Sequence, residues 1–300
     1  MKYEEKIITS IDGYSLCVRF FDVENPKGVV KFIHGMEEHQ GRYEEFASFL
    51  QENGYAVVTS DMRGHGKNAP KLSHIANKKG HKLLIDDEKV ILNAIKERYK
   101  DVPVILFGHS MGTIIARRVL QLISKEYSKV VLSGYPNPNA GGRVGMSLAR
   151  NEAIVRGGDK YSKLLTNLVL GPFEKAVKGG DSKLDWLSYN KENVIKYEND
   201  PLCGVEFTIG SYNALFHLLD SMSRPWRYRN VNKELPIYLI SGEDDPCTGG
   251  KGGRKASLQT LKVAGFKNIK VDTIEHMRHE ILNEIDKEKV YKMILDFLNN

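Results

Sequence analysis

The sequence predicts an α/β fold in which a mostly parallel sheet carries helices on both faces. Over residues 1–134, short β-branched runs alternate with segments of helical periodicity, and the same alternation resumes after residue 230. The segment between these two parts contains no clear buried strand. Because repeated strand–helix–strand units form parallel strands with helices packed against the sheet, we expect one sheet interrupted by a helical insertion.

Six short apolar runs are the predicted strands. Most are rich in valine or isoleucine and bounded by turn residues, which is typical of strands that are buried on both faces. In chain order, the predicted strands are residues 28–34, 55–60, 102–107, 129–133, 236–241 and 268–274.

Helical periodicity marks the segments between these strands, where apolar residues recur three and four positions apart. The predicted helices are residues 41–53, 85–99, 111–124 and 254–264, followed by a final helix that carries Val290 to Leu298. Residues 135–230 contain glycine pairs and short helical pieces. We therefore expect a helical lid at 135–230, inserted into a core that is formed by residues 1–134 and 231–300.

Composition and charge limit the functional classes. The 300 residues are 41% hydrophobic and 27% charged, which excludes a disordered or fibrous chain. The net charge of +6 comes from scattered basic residues, so we expect no nucleic-acid partner and at most weak association with anionic membrane surfaces. The three distant cysteines favour neither a disulfide scaffold nor a zinc module. With no secretory signal or membrane-spanning run, a cytoplasmic protein is expected.

A strand–turn–helix segment supplies the candidate nucleophile. The predicted strand 102–107 runs into Gly108-His109-Ser110-Met111-Gly112, where a helix begins. The pattern G-x-S-x-G in this context is typical of a tight turn that raises a serine hydroxyl above the sheet. Glycines leave room where a Cβ would collide, and the N–H groups of the helix start lie beside a developing oxyanion. Ser110 is therefore the predicted nucleophile.

The base and its orienting carboxylate are predicted from chain order. A serine nucleophile needs both groups, and in this fold the acid and then the histidine follow the serine in loops after strands. The two relevant loops contain Asp244 and Asp245, and then His276 and His279. Because Pro246 favours an extended backbone at the preceding residue, Asp245 is preferred to Asp244 as the acid. Both histidines follow the last predicted strand, and either one could be the base.

The exit of the first predicted strand supplies the second half of an oxyanion hole. His34-Gly35-Met36 follows this strand, and in such folds an N–H from this loop acts together with the N–H after the nucleophile. We therefore expect the backbone amides of Met36 and Met111 to be the two donors.

Two other patterns do not indicate a metal or cofactor. His276 and His279 have H-x-x-H spacing, but the pattern is not H-E-x-x-H and no third ligand lies nearby in sequence. Residues 249–254 are rich in glycine but lack the spacing of a phosphate-binding loop and follow the wrong strand, so a mobile loop is expected there. No metal and no organic cofactor is expected.

With these residues in place, the chain resembles the α/β-hydrolase superfamily, in particular its lysophospholipase and monoacylglycerol lipase-like branch. The similar segments extend over nearly the whole chain and are HGMEEHQGRY (34–43), DMRGHG (61–66), GHSMG (108–112), DPLCG (200–204), GEDDP (242–246) and RHEILNE (278–284). The resemblance implies Ser110 as nucleophile, Asp245 as acid and His279 as base, with the amides of Met36 and Met111 as donors. It also implies a lid over an acyl-binding pocket.

The expected function is that of a serine hydrolase that cleaves carboxylic esters, acylglycerol- or lysophospholipid-like, through an acyl-enzyme on Ser110. Its partner would be a small-molecule ester or lipid. An aminopeptidase or acyltransferase on the same scaffold is the alternative, and a peptidase would need an acidic lid group to hold the substrate's amino terminus. The candidates for that group are Glu174, Asp181, Asp185 and Glu192. A non-catalytic binding protein is a further alternative, against which the three filled positions argue.

Overall fold

In the computed structural model, which describes residues 2–138, 141–177 and 179–300, eight strands form one sheet in the order β1-β2-β4-β3-β5-β6-β7-β8. The strands are β1 (Glu4–Thr9), β2 (Ser15–Phe21), β3 (Val29–Ile33), β4 (Ala56–Ser60), β5 (Val104–His109), β6 (Lys129–Ser133), β7 (Ile237–Gly242) and β8 (Ile269–Ile274). The β1–β2 and β2–β4 pairs are antiparallel, and all other pairs are parallel. The predicted mostly parallel sheet is confirmed.

Helices cover both faces of this sheet, as predicted. The helices are α1 (Glu44–Glu52), α2 (Gly80–Arg98), α3 (Met111–Ile123), α4 (Gly142–Arg156), α5 (Lys163–Val169), α6 (Gly171–Ala176), α7 (Lys191–Asn199), α8 (Ile209–Met222), α9 (Gly250–Val263) and α10 (Lys287–Asn299). Side chains of β5 alternate between the faces: Leu106 packs in the cluster that contains α2 and α3, and Phe107 in the one that contains α1 and α10. None of the helices in the described part of the chain has the length and hydrophobicity that crossing a bilayer requires.

The two N-terminal strands are absent from the sequence prediction, which placed its first strand at residues 28–34. β1 is an edge strand whose side chains are mostly exposed, and it carries Glu4, Glu5 and Lys6. Charged residues at a sheet edge hinder pairing with other chains, so such strands lack a buried apolar run. β2 is also absent from the prediction, and it pairs with β4, which lies far from it in the sequence.

The glycine-rich segment 249–254 is not a loop, and the sequence interpretation was wrong here. α9 begins at Gly250, four residues before the predicted start. Packing outweighs the low helix propensity of glycine, because a Cβ at Gly253 would lie 2.0 Å from the carbonyl oxygen of Thr248. Glycine therefore allows the first turn of α9 to pack on the preceding loop.

The long segment between β6 and β7 contains α4 to α8. Its described residues add no strand to the main sheet and form one isolated antiparallel bridge, between Tyr161 and Thr208. Within this segment α8 is the most buried helix, and it packs against α2, α3 and α4. The segment is therefore attached to the helical layer on one face of the sheet.

The junction between β5 and α3 is closely packed against β3. A Cβ at Gly112 would lie 2.1 Å from the carbonyl oxygen of Ile33, and a Cβ at Gly108 would lie 2.6 Å from that of Gly112. These contacts are with backbone atoms of a central strand and of a helix, which have little freedom to move. Both positions therefore require glycine.

We expect Gly112→Ala to lower the free energy of unfolding by roughly 1–3 kcal/mol or more, because the new methyl group overlaps the backbone of β3. Gly252→Ala is the matched control, since Gly252 lies within α9 and no other described atom approaches its Cβ position within 4 Å. The control should keep or gain stability, by up to ~1 kcal/mol. Urea denaturation measures both values, and equal stabilities of the two variants would contradict the packing account.

Candidate active site

Ser110 occupies a strained turn between β5 and α3. Its backbone has φ 51° and ψ −121°, which is unfavourable for a residue with a side chain. The Ser110 N–H donates to the carbonyl oxygen of Ser133 over 3.0 Å, and its own carbonyl accepts from the Thr113 N–H over 2.9 Å. Hydrogen bonds to β6 and α3 thus hold the turn, and the half-buried Ser110 side chain lies at the wall of a cavity.

His279 and Asp245 form a buried pair in the loops after β8 and β7. The Nδ1 of His279 lies 3.0 Å from the Oδ2 of Asp245, and both residues are 2% exposed. The other oxygen of Asp245 accepts a hydrogen bond from the Cys247 N–H over 2.8 Å. Burial acts to lower the pKa of His279, but the charge and hydrogen bond of Asp245 outweigh it and raise this pKa above its usual value. The pair therefore favours a histidine that gains a proton readily.

The alternative acid and base lie elsewhere. Asp244 is exposed, and its Oδ2 accepts a hydrogen bond from the Tyr189 hydroxyl over 2.9 Å. His276 is exposed in a turn with φ 54°, beside a shallow depression that Tyr189 also lines. Of the two acids, Asp245 is the one that contacts His279, and His279 lines the same cavity as Ser110.

This cavity has a volume of about 400 Å³ and is largely apolar. Most of its apolar wall comes from the segment between β6 and β7. The apolar residues from that segment are Val144, Leu168, Val169, Leu170, Phe173, Leu184, Trp186, Leu187, Leu215, Phe216 and Leu219. Ser110, which follows β5, and His279, in the loop after β8, line the same cavity, so a molecule bound there would lie beside both residues.

Met36 and Met111, whose amides were predicted as oxyanion donors, both line this cavity. Met111 is the first residue of α3, where an N–H has no acceptor within the helix. Among the described residues, neither the Met36 N–H nor the Met111 N–H has a hydrogen-bond acceptor. The loop after β3 lies against the nucleophile turn, since a Cβ at Gly35 would be 3.1 Å from the Cβ of Ser110.

A buried charged network connects the two loops of the site. The Arg42 guanidinium donates to Glu38 over 2.9 Å and to Glu280 over 2.5 and 2.7 Å. Glu38 accepts a further hydrogen bond from the Tyr43 hydroxyl, and Glu280 accepts one from the Asn193 amide, both over 2.6 Å. Burial acts to raise the pKa of Glu280, but Arg42 outweighs it and lowers this pKa. The network ties the Met36 loop to the residue that follows His279.

Sequence reasoning assigned no role to these charged residues. A signal was present, because Glu38 and Arg42 have the i, i+4 spacing of an ion pair and Glu280 directly follows the candidate base. Charged residues of this kind are usually exposed, so their burial shows only in the structure. Arg42, for example, has a side chain that is only 8% exposed.

Aromatic groups pack around the imidazole of His279. The Trp186 ring lies 5.0 Å from the His279 ring, and the His109 ring lies 4.9 Å from it, measured between centroids. Trp186 comes from the segment between β6 and β7, so this segment directly contacts the candidate base.

Among the described residues, two groups of side chains bring potential metal ligands within 4.8 Å of one another. They are His39, Asp200 and Cys203, and Asp245, Cys247 and His279. In each group, the histidine is already bonded to the carboxylate, at 2.8 and 3.0 Å respectively. Burial raises the pKa of the two thiols, which disfavours the thiolate that a metal would bind. Neither group offers a ready set of metal ligands.

The sheet topology, with a strained serine and a histidine around one cavity, defines an α/β-hydrolase. Residues 24–286 match the family model described as serine aminopeptidase, S33. Because this match covers most of the chain, the chain belongs to that family.

Individual relatives resemble this chain over most of its length. Human monoglyceride lipase is 27% identical over 293 residues, covering 93% of this chain and 85% of the relative. Phospholipase YtpA of Bacillus subtilis is 26% identical over 270 residues, covering 90% and 94%. The solved structure of a thermostable carboxyl esterase from Bacillus coagulans, in complex with glycerol, has 25% identity and a TM-score of 0.92, covering 100% and 98%. The predicted resemblance to α/β-hydrolases of the lipase type is confirmed.

We expect Asp245→Asn to lower the pKa of His279, because burial would then act on the imidazole without the opposing carboxylate charge. Asp244→Asn is the matched control, since Asp244 is exposed and bonded to Tyr189. Titration of the His279 ring signals by NMR measures both effects. A larger shift in the Asp244 variant would show that the contacts of the two acids are wrongly assigned.

Proposed function

We propose that the protein is a serine hydrolase that cleaves carboxylic esters through an acyl-enzyme on Ser110. The observation that carries this proposal is that Ser110 and His279 line one cavity, and that the Nδ1 of His279 is hydrogen-bonded to the buried carboxylate of Asp245. Relatives named lipase and phospholipase and a structural neighbour named carboxyl esterase support ester hydrolysis. Asp245 is the proposed acid and His279 the proposed base.

In the proposed reaction, the Oγ of Ser110 attacks the ester carbonyl while the Nε2 of His279 takes its proton. The carbonyl oxygen becomes an oxyanion that accepts hydrogen bonds from the amides of Met36 and Met111. His279 then returns the proton to the leaving alcohol, and an acyl-enzyme remains. Water then attacks the acyl-enzyme while His279 takes its proton, and His279 returns this proton to Ser110 as the carboxylic acid product is released. Asp245 holds the imidazole tautomer and stabilises its positive charge, in keeping with the raised pKa of His279.

We propose an acylglycerol- or lysophospholipid-like substrate, with residues 135–230 acting as a lid over the core of residues 1–134 and 231–300. The apolar wall that this segment contributes is suited to an acyl chain. The contact of Trp186 with His279 supports its function as a cover that keeps water from the catalytic groups. Relatives named monoglyceride lipase and phospholipase support the same substrate class.

An aminopeptidase finds less support in the cavity wall. The four acidic residues considered from sequence, Glu174, Asp181, Asp185 and Glu192, are not among the described residues that line the cavity. Of the carboxyl groups that line it, Glu38 and Glu280 are bonded to Arg42. Burial raises the pKa of Glu37 to about 8, so this group is mostly neutral at pH 7 and poorly suited to an ammonium group. An ester substrate is therefore favoured.

We expect Ser110→Ala to reduce ester hydrolysis by up to ~10⁶-fold without unfolding the protein, because the attacking oxygen is lost. His279→Ala should also abolish most of the activity, and His276→Ala is its matched control because His276 is exposed outside the cavity. Hydrolysis of p-nitrophenyl esters and labelling by a fluorophosphonate probe measure the effect. Substantial activity in the Ser110 variant, or a greater loss in the His276 variant, would contradict these roles.

We expect long-chain monoacylglycerol or lysophospholipid to be a better substrate than an aminoacyl-anilide, because the cavity wall is largely apolar and its described residues offer no free carboxylate. Purified protein is assayed in parallel on monoacylglycerol, lysophospholipid, short- and long-chain p-nitrophenyl esters and aminoacyl-anilides, and kcat/KM is compared. The Ser110→Ala variant corrects each rate for background. A higher kcat/KM on the anilides would reject the lipid assignment and favour the peptidase alternative.

A further inference from the structure

A second cavity, of about 500 Å³, lies between α2, α3 and α8. Its wall contains more basic than acidic side chains. The basic ones are Lys82, Lys89, Arg118, Arg224 and Arg227, accompanied by His81 and His217, and the acidic ones are Asp86 and Asp220. This cavity has no part in the proposed ester hydrolysis.

The two carboxylates of this cavity are each bonded to one cation. Asp220 lies 2.6 Å from Arg224, and Asp86 lies 3.1 Å from Lys89. For Lys82, Arg118 and Arg227, no carboxylate of the described residues lies within 4.0 Å. Lys82, Arg118 and Arg227 therefore line one cavity and have no carboxylate counter-ion among the described residues.

Arg118 shows the imbalance most clearly. Its side chain is half-buried on α3, and its Nη1 donates to the neutral amide of Gln121 over 2.8 Å. Burial lowers the pKa of Arg118, and the nearby positive charge of Arg227 lowers it further. Like charges at close range repel each other, so an anion between them would remove an unfavourable interaction.

The two histidines of the cavity lie beside these cations. Burial lowers the pKa of His217 and outweighs Asp220, which acts to raise it. The His81 and His217 rings stack with centroids 4.2 Å apart and an interplanar angle of 16°. Burial lowers the pKa of His81 to about 4, and His217, Lys82, Arg118 and Arg227 contribute to this shift. The Nδ1 of His81 is buried, and among the described residues it has no hydrogen-bond partner. An anion could supply both charge and hydrogen bonds here.

We propose that this cavity binds the phosphate group of an organic phosphate, with Arg118 and Arg227 as the principal donors and Lys82 and His81 beside them. Guanidinium groups suit phosphate because they donate parallel hydrogen bonds to two of its oxygens. The cavity is larger than a phosphate ion requires, and Leu122 and Met146 line part of its wall. An organic substituent on the phosphate would occupy that apolar part.

The same helices line both cavities. α3 contributes Ile114 to the cavity of Ser110 and Arg118 to the basic cavity, one turn further along. α8 contributes Phe216 to the first cavity and the adjacent His217 to the second. A phosphate ester in the basic cavity would thus be bound by helices that also shape the ester site, but its binding does not depend on the proposed hydrolysis.

The test measures binding by isothermal titration calorimetry, using the full chain and either inorganic phosphate or glycerol 3-phosphate at matched ionic strength. We expect saturable binding, tighter for glycerol 3-phosphate, and a loss of affinity of roughly tenfold or more in the double variant Arg118→Gln, Arg227→Gln. The control variant Lys255→Gln, Lys262→Gln removes the same charge from exposed positions of α9. It should bind as the wild type does.

A lipid source of the phosphate is tested by co-sedimentation with vesicles of phosphatidic acid in phosphatidylcholine, against phosphatidylcholine alone. Binding of phosphatidic acid vesicles without binding of glycerol 3-phosphate would assign the site to a lipid headgroup, and the reverse would assign it to a free phosphate ester. In either case the double variant should lose binding and the α9 control should keep it.

Two further measurements keep the test decisive. If the double variant fails to fold, Arg227→Gln alone replaces it, because Arg227 is exposed. NMR titration should show that glycerol 3-phosphate raises the pKa of His81 by offsetting Lys82, Arg118 and Arg227. The proposal is overturned if the wild type binds neither glycerol 3-phosphate nor phosphatidic acid vesicles, or if binding is equally strong in the folded arginine variant.

Discussion

The close approach of α3 to the end of β3 is the constraint on which the candidate site depends. Since Gly112 has no side chain, the first turn of α3 lies directly against the carbonyl of Ile33. Ser110 lies in the turn that leads into α3 and has a strained backbone conformation, and Met111, the first residue of α3, lines the cavity. Strain of this kind costs about 1–3 kcal/mol and persists only where the surrounding structure enforces it. Here, the enforcing elements are central strands of a sheet covered on both faces.

The charged network of Glu38, Arg42 and Glu280 differs in its effect from the apolar part of the cavity wall. Burying Glu38, Arg42 and Glu280 is costly, and such groups add little net stability compared with packed apolar residues. Their hydrogen bonds are directional, however, so they define how the loop after β3 lies relative to the loop of His279. An apolar cluster would leave that geometry less well determined. The network is therefore best understood as a device for positioning the proposed oxyanion donors and base.

The central strands and the covering helices could be predicted from the sequence, because they depend on local patterns. Local patterns also indicated Ser110 and Asp245 as candidate site residues, and their roles remain predictions. Gly-x-Ser-x-Gly and an aspartate before proline are such patterns. β1 was missed, since a charged edge strand has no apolar run, and the start of α9 was misjudged, since Gly253 fits there for a tertiary reason. The contact of Arg42 with Glu280 was also beyond reach, because the two residues are 238 positions apart in the sequence.

The basic cavity is another feature that could not be predicted from the sequence. Along the chain the basic residues are scattered, which argued against a nucleic-acid partner. The fold nevertheless brings Lys82, Arg118 and Arg227 together from α2, α3 and the segment after α8. α8 contributes Phe216 to the cavity of Ser110, and its next residue, His217, lies beside these cations. A charge cluster built from such distant segments can only be recognised after folding, and the net charge alone says little about where it acts.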